Sequence, residues 1–228
     1  MLELLADPGQ VAFPGGKADS TDETPVETAR REALEEIGLP LSDDRLPPDF
    51  RIEHLCELPT HFARTELGVR PCVAYLHSGN DIVVGGIGKK GDVEGSLMPR
   101  LDKREVAAVF TAGFRDFLRR ELLQSEAGRI WYEGIWIHWH GTSWRMHSFH
   151  VVVGEGEGRL VTPGDCGKQE SYRVFGMTAR MLVDAARVAY GEEPAFEHNR
   201  SLGDEDLIRR LLEEGKLPPI EKKRAVRI

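Results

Sequence analysis

Val26, Ala29, Ala33 and Ile37 recur at three- and four-residue intervals, with mostly charged and polar residues between them. That spacing puts the four on one face, so a helix is predicted from Pro25 to Ile37. Both of its ends are marked. Thr24 can cap the first turn, Pro25 suits the first helical position and Glu27 completes a capping box. Gly38 supplies a left-handed stop, and Pro40 forbids continuation. Further along, Arg51 to Leu58, Val69 to His77 and Glu105 to Phe110 have strand character. Ile135, Ile137 and Trp139 alternate with Trp136, His138 and His140, as in a strand with both faces partly covered. Helical stripes run from Phe114 to Leu123, from Val174 to Tyr190 with Met177, Met181, Leu182, Ala185 and Val188 inward, and from Asp204 to Glu214. Pro40 to Asp49, Asp81 to Leu97 and Gly154 to Gly167 read as loops. One domain over 1–190, followed by a C-terminal helix and basic tail over 191–228, is the simplest division.

The polar side of the first helix changes the picture. Glu32 projects beside both Glu35 and Glu36, and three carboxylates within about one turn repel each other. A solvated acidic face is the plain explanation; a divalent cation seated among them is the chemical one. Gly15-Gly16 just upstream lets the backbone approach a ligand closely, which favours the second.

The run Arg31-Glu32-Ala33-Leu34-Glu35-Glu36-Ile37-Gly38-Leu39, with Glu23 upstream, resembles the box of the Nudix hydrolases, which cleave nucleoside diphosphates linked to another moiety. The box would occupy 15–39. Six residues separate Gly16 from Glu23, one more than in the commonest form, so the loop departs slightly from the pattern. Phe13-Pro14-Gly15-Gly16-Lys17, Asp19 and Asp22 resemble the coenzyme A pyrophosphatase branch, including its fungal peroxisomal members, as does Tyr172 to Arg180.

The resemblance implies an α/β fold, an α/β/α sandwich with a mixed sheet, and hydrolysis of the coenzyme A diphosphate to 3′,5′-ADP and 4′-phosphopantetheine. It implies Mg²⁺ or Mn²⁺ held by Glu32 and Glu36, with Glu35 as a further ligand or as the base. Gly15, Gly16 and Lys17 would line the substrate site. Arg64 and Arg70 are candidates for phosphate contacts, ordinary solvated arginines being the alternative. Glu105 could reach the metal site from its strand, and Arg31 is expected to pair with Glu23. The family places a strand and an arginine-containing motif before the box, and residues 1–12 are brief for both, so an N-terminal strand is expected to be missing. Cleavage of oxidised nucleoside triphosphates such as 8-oxo-dGTP is the rival reaction, and a non-catalytic Nudix-fold binding module the rival class.

Composition narrows the partners. A net charge of −8 over 228 residues argues against an electrostatic grip on nucleic acid and leaves a small-molecule substrate. No apolar run approaches membrane-spanning length, and Cys56, Cys72 and Cys166 lack zinc-ligand spacing. An intracellular protein is expected, peroxisomal by the resemblance, although Ala-Val-Arg-Ile at the end is not a Ser-Lys-Leu type of address. Trp131, Trp136, Trp139 and Trp144 share one stretch with His138, His140, His147 and His150. These residues are expected to line a substrate pocket or to pair with backbone groups, in preference to forming a second metal centre.

Overall fold

The computed structural model describes residues 2–7, 10–48, 50–78, 106–122, 130–153, 159–161 and 171–217. In chain order the elements are β1 (Leu2–Asp7), β2 (Gln10–Ala12), α1 (Pro25–Ile37), β3 (Phe50–Glu57), β4 (His61–Phe62), β5 (Gly68–Val69), β6 (Cys72–Ser78) and β7 (Ala108–Ala112). There follow β8 (Tyr132–Trp139), β9 (Thr142–Val152), β10 (Arg159–Val161), β11 (Ser171–Phe175), α2 (Gly176–Tyr190) and α3 (Glu205–Glu213). Among the described residues no helix is long and apolar enough to cross a membrane.

Strand β7 sits at the centre because its two faces feed two cores. Ala108, Phe110 and Ala112 join Ala179, Leu182 and Val183 of α2, whereas Val109 joins Ala33 and Ile37 of α1. Alternation along one strand therefore places a helix on either side of it, the layering of an α/β/α sandwich. In the sheet the order is β10-β7-β1-β2, and β11-β9-β8 forms a second group. Phe110 stacks on Tyr172 of β11 with ring centroids 4.4 Å apart, joining the two groups through the core.

The resemblance implies a mixed sheet, but every described pairing is antiparallel. Three of these pairings, β1–β2, β4–β5 and β8–β9, join consecutive strands through loops of two to five residues, and such connections can only reverse the chain. Leu2–Asp7, from the stretch expected to be short of a strand, supplies β1 and pairs with β7 from Leu2↔Ala112 to Ala6↔Ala108.

Helix α1 ends as its sequence dictates. Thr24 N–H donates to Glu27 Oε2 at 2.8 Å, Glu27 N–H donates to Thr24 Oγ1 at 3.2 Å, and Gly38 takes φ 74°. The Thr24 cap contributes about 1 kcal/mol. Two other helical expectations are corrected. Of the stripe at Phe114 to Leu123, whose last residue lies outside the described residues, Phe114–Leu118 closes a 3₁₀ turn and Arg119 is already extended. In α2 the buried face includes Ala179, Leu182, Val183 and Ala186, with Arg180 and Asp184 buried too, while Val188 is half exposed. The helix is covered on more than one side, so its apolar stripe alone does not define its inner face.

Candidate active site

Arg31 organises the residues before α1. Its Nε donates to Glu23 Oε1 at 2.9 Å, its Nη2 to the Lys17 carbonyl at 2.9 Å, and Nη1 to Glu32 Oε1 at 2.9 Å and Glu35 Oε2 at 3.2 Å. Asp19 N–H adds a 2.7 Å bond to Glu23. The hydrogen bond from Arg31 holds the Glu23 carboxyl down at about 2, with help from the Asp19 N–H. The Arg31 guanidinium is pushed up in turn, chiefly by the Glu23 bond. The expected Arg31–Glu23 pair is therefore formed in spite of the extra loop residue, and it clamps the 17–23 loop to the helix.

That clamp lays the glycine turn on the carboxylates. A Cβ built on Gly16 would stand 2.6 Å from Cδ of Glu32, closer than real side-chain atoms approach. Gly15 N–H points to Glu36 Oε1 at 3.4 Å. Glu32 and Glu36 lie one helical turn apart, and both face the turn. Glu35, 56% exposed, leans instead toward Arg31.

Glu32 and Glu36 suit a hard divalent cation. Mg²⁺ is usually bound through one or two carboxylates together with water and substrate phosphates, not in an all-protein cage. Arg31 takes Oε1 of Glu32, and Oε2 accepts no hydrogen bond from a described residue. Among the described residues no three His, Cys, Asp or Glu side chains converge into a ready cage. The donor set therefore fits an ion completed by substrate. Glu105 lies outside the described residues.

The remaining candidates are spread out. Lys17 has an exposed side chain beside the turn, and Arg64 is exposed in the β4–β5 turn. Arg70 is occupied by Thr60 Oγ1 at 3.1 Å and by the carboxylates of Glu57 and Glu205 at 3.6 and 3.7 Å. The Trp- and His-rich stretch forms the β8–β9 hairpin and is mostly committed to packing and pairing. Trp131 Nε1 donates to Arg119 O at 3.2 Å, Trp136 Nε1 to Glu197 at 2.9 Å, and Trp139 stacks on Phe62.

A buried polar chain runs elsewhere in the molecule. Tyr132 Oη lies 3.0 Å from His147 Nδ1, His147 Nε2 lies 2.7 Å from His198 Nδ1, and His198 Nε2 reaches Asp184 Oδ1 at 2.8 Å. The other Asp184 oxygen receives His61 Nε2 and Gly203 N–H, both at 3.0 Å. Burial drives the His147 imidazole down to about 3, helped by His198 beside it. Burial alone would raise the Asp184 carboxyl, but the hydrogen bonds from His198, His61 and Gly203 hold it well below the usual range. The sequence signal for this site is the polar line Arg180, Asp184, Arg187 along an otherwise apolar helix.

The NUDIX domain model matches residues 6–117, the span that holds the glycine turn, α1 and β7. The chain is similar to peroxisomal coenzyme A diphosphatase 1 of Saccharomyces cerevisiae, 28% identical with 88% of this chain and 65% of that protein covered. It is similar to Nudix hydrolase 22, chloroplastic, of Arabidopsis thaliana, 30% identical with 85% and 49% covered. Mouse peroxisomal coenzyme A diphosphatase NUDT7 is 26% identical, with 89% and 66% covered. The chain spans about half to two thirds of the length of these relatives. With the domain match enclosing the glutamate helix and the glycine turn laid upon it, the chain belongs to the Nudix family.

Proposed function

We propose that the chain hydrolyses the diphosphate bridge of coenzyme A or an acyl-coenzyme A, giving 3′,5′-ADP and 4′-phosphopantetheine or its acyl form. The observation that carries the reaction type is the seating of Gly15-Gly16 on Glu32 and Glu36, which brings backbone and carboxylates together at one place. The substrate class rests on the FPGGK run and on two relatives named as coenzyme A diphosphatases.

In this reading Glu32 and Glu36 hold Mg²⁺ or Mn²⁺. The ion supplies charge neutralisation at the bridging phosphates and lowers the pKa of a bound water. Glu35, exposed and steered by Arg31, serves as the further ligand or as proton acceptor. Arg31 is a positioning residue, because its five donors are spent on Glu23, Glu32, Glu35 and the Lys17 carbonyl. Lys17 and Arg64 offer exposed cations to the substrate phosphates, whereas Arg70 would have to leave Thr60, Glu57 and Glu205 first. Peroxisomal placement follows the names of the same two relatives, and a fluorescent fusion imaged against a peroxisomal marker checks it.

The deciding experiment offers coenzyme A, an acyl-coenzyme A and 8-oxo-dGTP side by side with Mg²⁺ or Mn²⁺ and identifies products by mass spectrometry. Release of 4′-phosphopantetheine or its acyl form is expected. Turnover of 8-oxo-dGTP alone would replace the substrate, and no turnover of any with metal present would leave a binding module.

A further inference from the structure

A cavity of about 380 Å³ opens where α3 begins, lined among others by Trp144, Arg180, Ser201, Asp204, Leu207 and Arg210. None of these is a residue of the glutamate site. Helix starts leave N–H groups without intrahelical acceptors, and an Asp at the cap position ordinarily takes one of them. Asp204 occupies that position but makes no side-chain cap bond. Its Oδ2 instead accepts from Phe62 N–H at 2.9 Å, and its Oδ1 lies 2.6 Å from Arg180 Nη1. The first backbone bond of the helix is Ile208 N–H to Asp204 O, at 2.9 Å. The N–H groups of Glu205, Asp206 and Leu207, whose residues line the cavity, therefore have no acceptor among the described residues.

Three arginines border the same space, Arg209 as well as Arg180 and Arg210. Arg180 is 1% exposed, lies 4.4 Å from the centroid of the Trp144 ring, and its Nε has no hydrogen-bond partner among the described residues. Arg210 donates only to neutral oxygens, the His140 carbonyl at 2.6 Å and Thr142 Oγ1 at 2.8 Å. Its own Nε is likewise unpartnered.

The acids in the lining do not cancel this field, because each has a nearer partner. Asp204 holds Arg180, Asp206 holds Arg209 at 3.1 Å, and Glu205 faces Thr60 N–H at 3.3 Å and Arg70 at 3.7 Å. Arg210 has no carboxylate within ion-pair distance among the described residues, and Glu214, which feels its charge, is paired with Lys216 at 2.7 Å. An uncapped helix start beside a guanidinium whose hydrogen bonds go only to neutral oxygens is an arrangement that selects oxyanions.

We propose that this cavity is a binding site for a phosphate group, held by the first N–H groups of α3 and by Arg210, with Arg180 beneath and the Ser201 hydroxyl at the rim. It is a site separate from the glutamate helix and does not depend on the substrate reading.

The test is titration of inorganic phosphate into the ¹⁵N-labelled chain without divalent cation, followed at the amides of Glu205, Asp206 and Leu207. Wild type, Arg210→Gln and the box variant Glu36→Gln are compared, with acetate titrated in parallel at matched ionic strength. Saturable shifts at those amides are expected in wild type and in Glu36→Gln, with affinity reduced about tenfold or more in Arg210→Gln. Arg210→Lys keeps the charge and is expected to recover part of the affinity. Absent or non-saturating shifts, equal affinity in Arg210→Gln, or loss of the shifts in Glu36→Gln would overturn the proposal. A response to acetate as strong as to phosphate would overturn the phosphate assignment.

Discussion

Gly16 lies against the carboxylate of Glu32, so close that any Cβ at position 16 would stand 2.6 Å from Glu32 Cδ. One of the two must give way in Gly16→Ala. The Arg31 bond resists movement of Glu32, so the displaced partner is the turn or the carboxylate orientation, and either disturbs the site. Turnover is expected to fall about 10- to 100-fold, equivalent to roughly 1.4 to 2.7 kcal/mol of transition-state stabilisation. The turn is exposed, so the melting temperature should hardly move. Wild-type kcat/KM in Gly16→Ala would show that the close approach has no part in the reaction.

Glu36→Gln preserves size and helix propensity while removing one negative donor from the side facing Gly15. A loss of two to three orders of magnitude in kcat is expected, the result of roughly 3 to 4 kcal/mol less charge stabilisation. Excess Mn²⁺ should recover only part of it. Glu27→Gln is the control on the same helix, since a glutamine still completes the capping box with Thr24. Should Glu36→Gln keep more than about half of wild-type turnover at saturating metal, Glu36 is no ligand.

Which features were legible follows from the distance over which their partners act. The ends of α1, the Arg31–Glu23 clamp and the acidic turn are set within 25 residues of chain, where period and capping rules apply directly. The antiparallel pairing and the two cores about β7 arise from long-range partners, and Val109 and Phe110 differ in destination only by strand alternation. His61 and Asp184 are 123 positions apart, so no local spacing announces their bond. Asp184 is a charged position in the middle of α2. It is buried because His61, His198 and Gly203 arrive from other elements to satisfy it.

Stability should fall on acidification through that cluster. His147 is held at about 3, below its ordinary 6.5, so between those values the unfolded chain binds the proton and the folded chain does not. Unfolding then takes up a proton, and stability rises with pH across this window and is lost as pH falls from about 6.5 toward 3. The groups facing His147 are Tyr132, His198, Arg145, Arg180 and Asp184. Asp184 acts in the same direction at lower pH, because its depressed carboxyl contributes stability that is lost as it protonates. The His147 contribution is bounded at about 5 kcal/mol by the size of its displacement. Urea midpoints measured from pH 7.5 to 4.5 should decline in wild type and decline less steeply in His147→Asn. Parallel slopes for the two would remove His147 as the cause.

Asp184→Asn tests the anchor itself. The aspartate gathers His61, His198, the Gly203 N–H and Arg187 Nη1, the last at 3.4 Å, and is 1% exposed. Replacing one partner of a buried charged cluster leaves the others uncompensated, which costs about 3 to 5 kcal/mol. The loss should not be spread evenly. Residues 195–204 are tied to the β8–β9 hairpin through Phe196 stacked on Tyr132 and Asn199 bonded to Arg145 N–H and Ser143 O, and to α2 through the bonds of His198 and Gly203 to Asp184. Of these ties only the His198 and Gly203 bonds depend on the aspartate, and their loss should raise amide exchange first at Asn199 to Asp204. The glutamate helix, which packs against β7 through Ala33 and Ile37, should keep its protection until global unfolding. A stability change under about 1 kcal/mol, with unchanged exchange over 199–204, would mean that the aromatic stack and the asparagine bonds hold this segment without the charge.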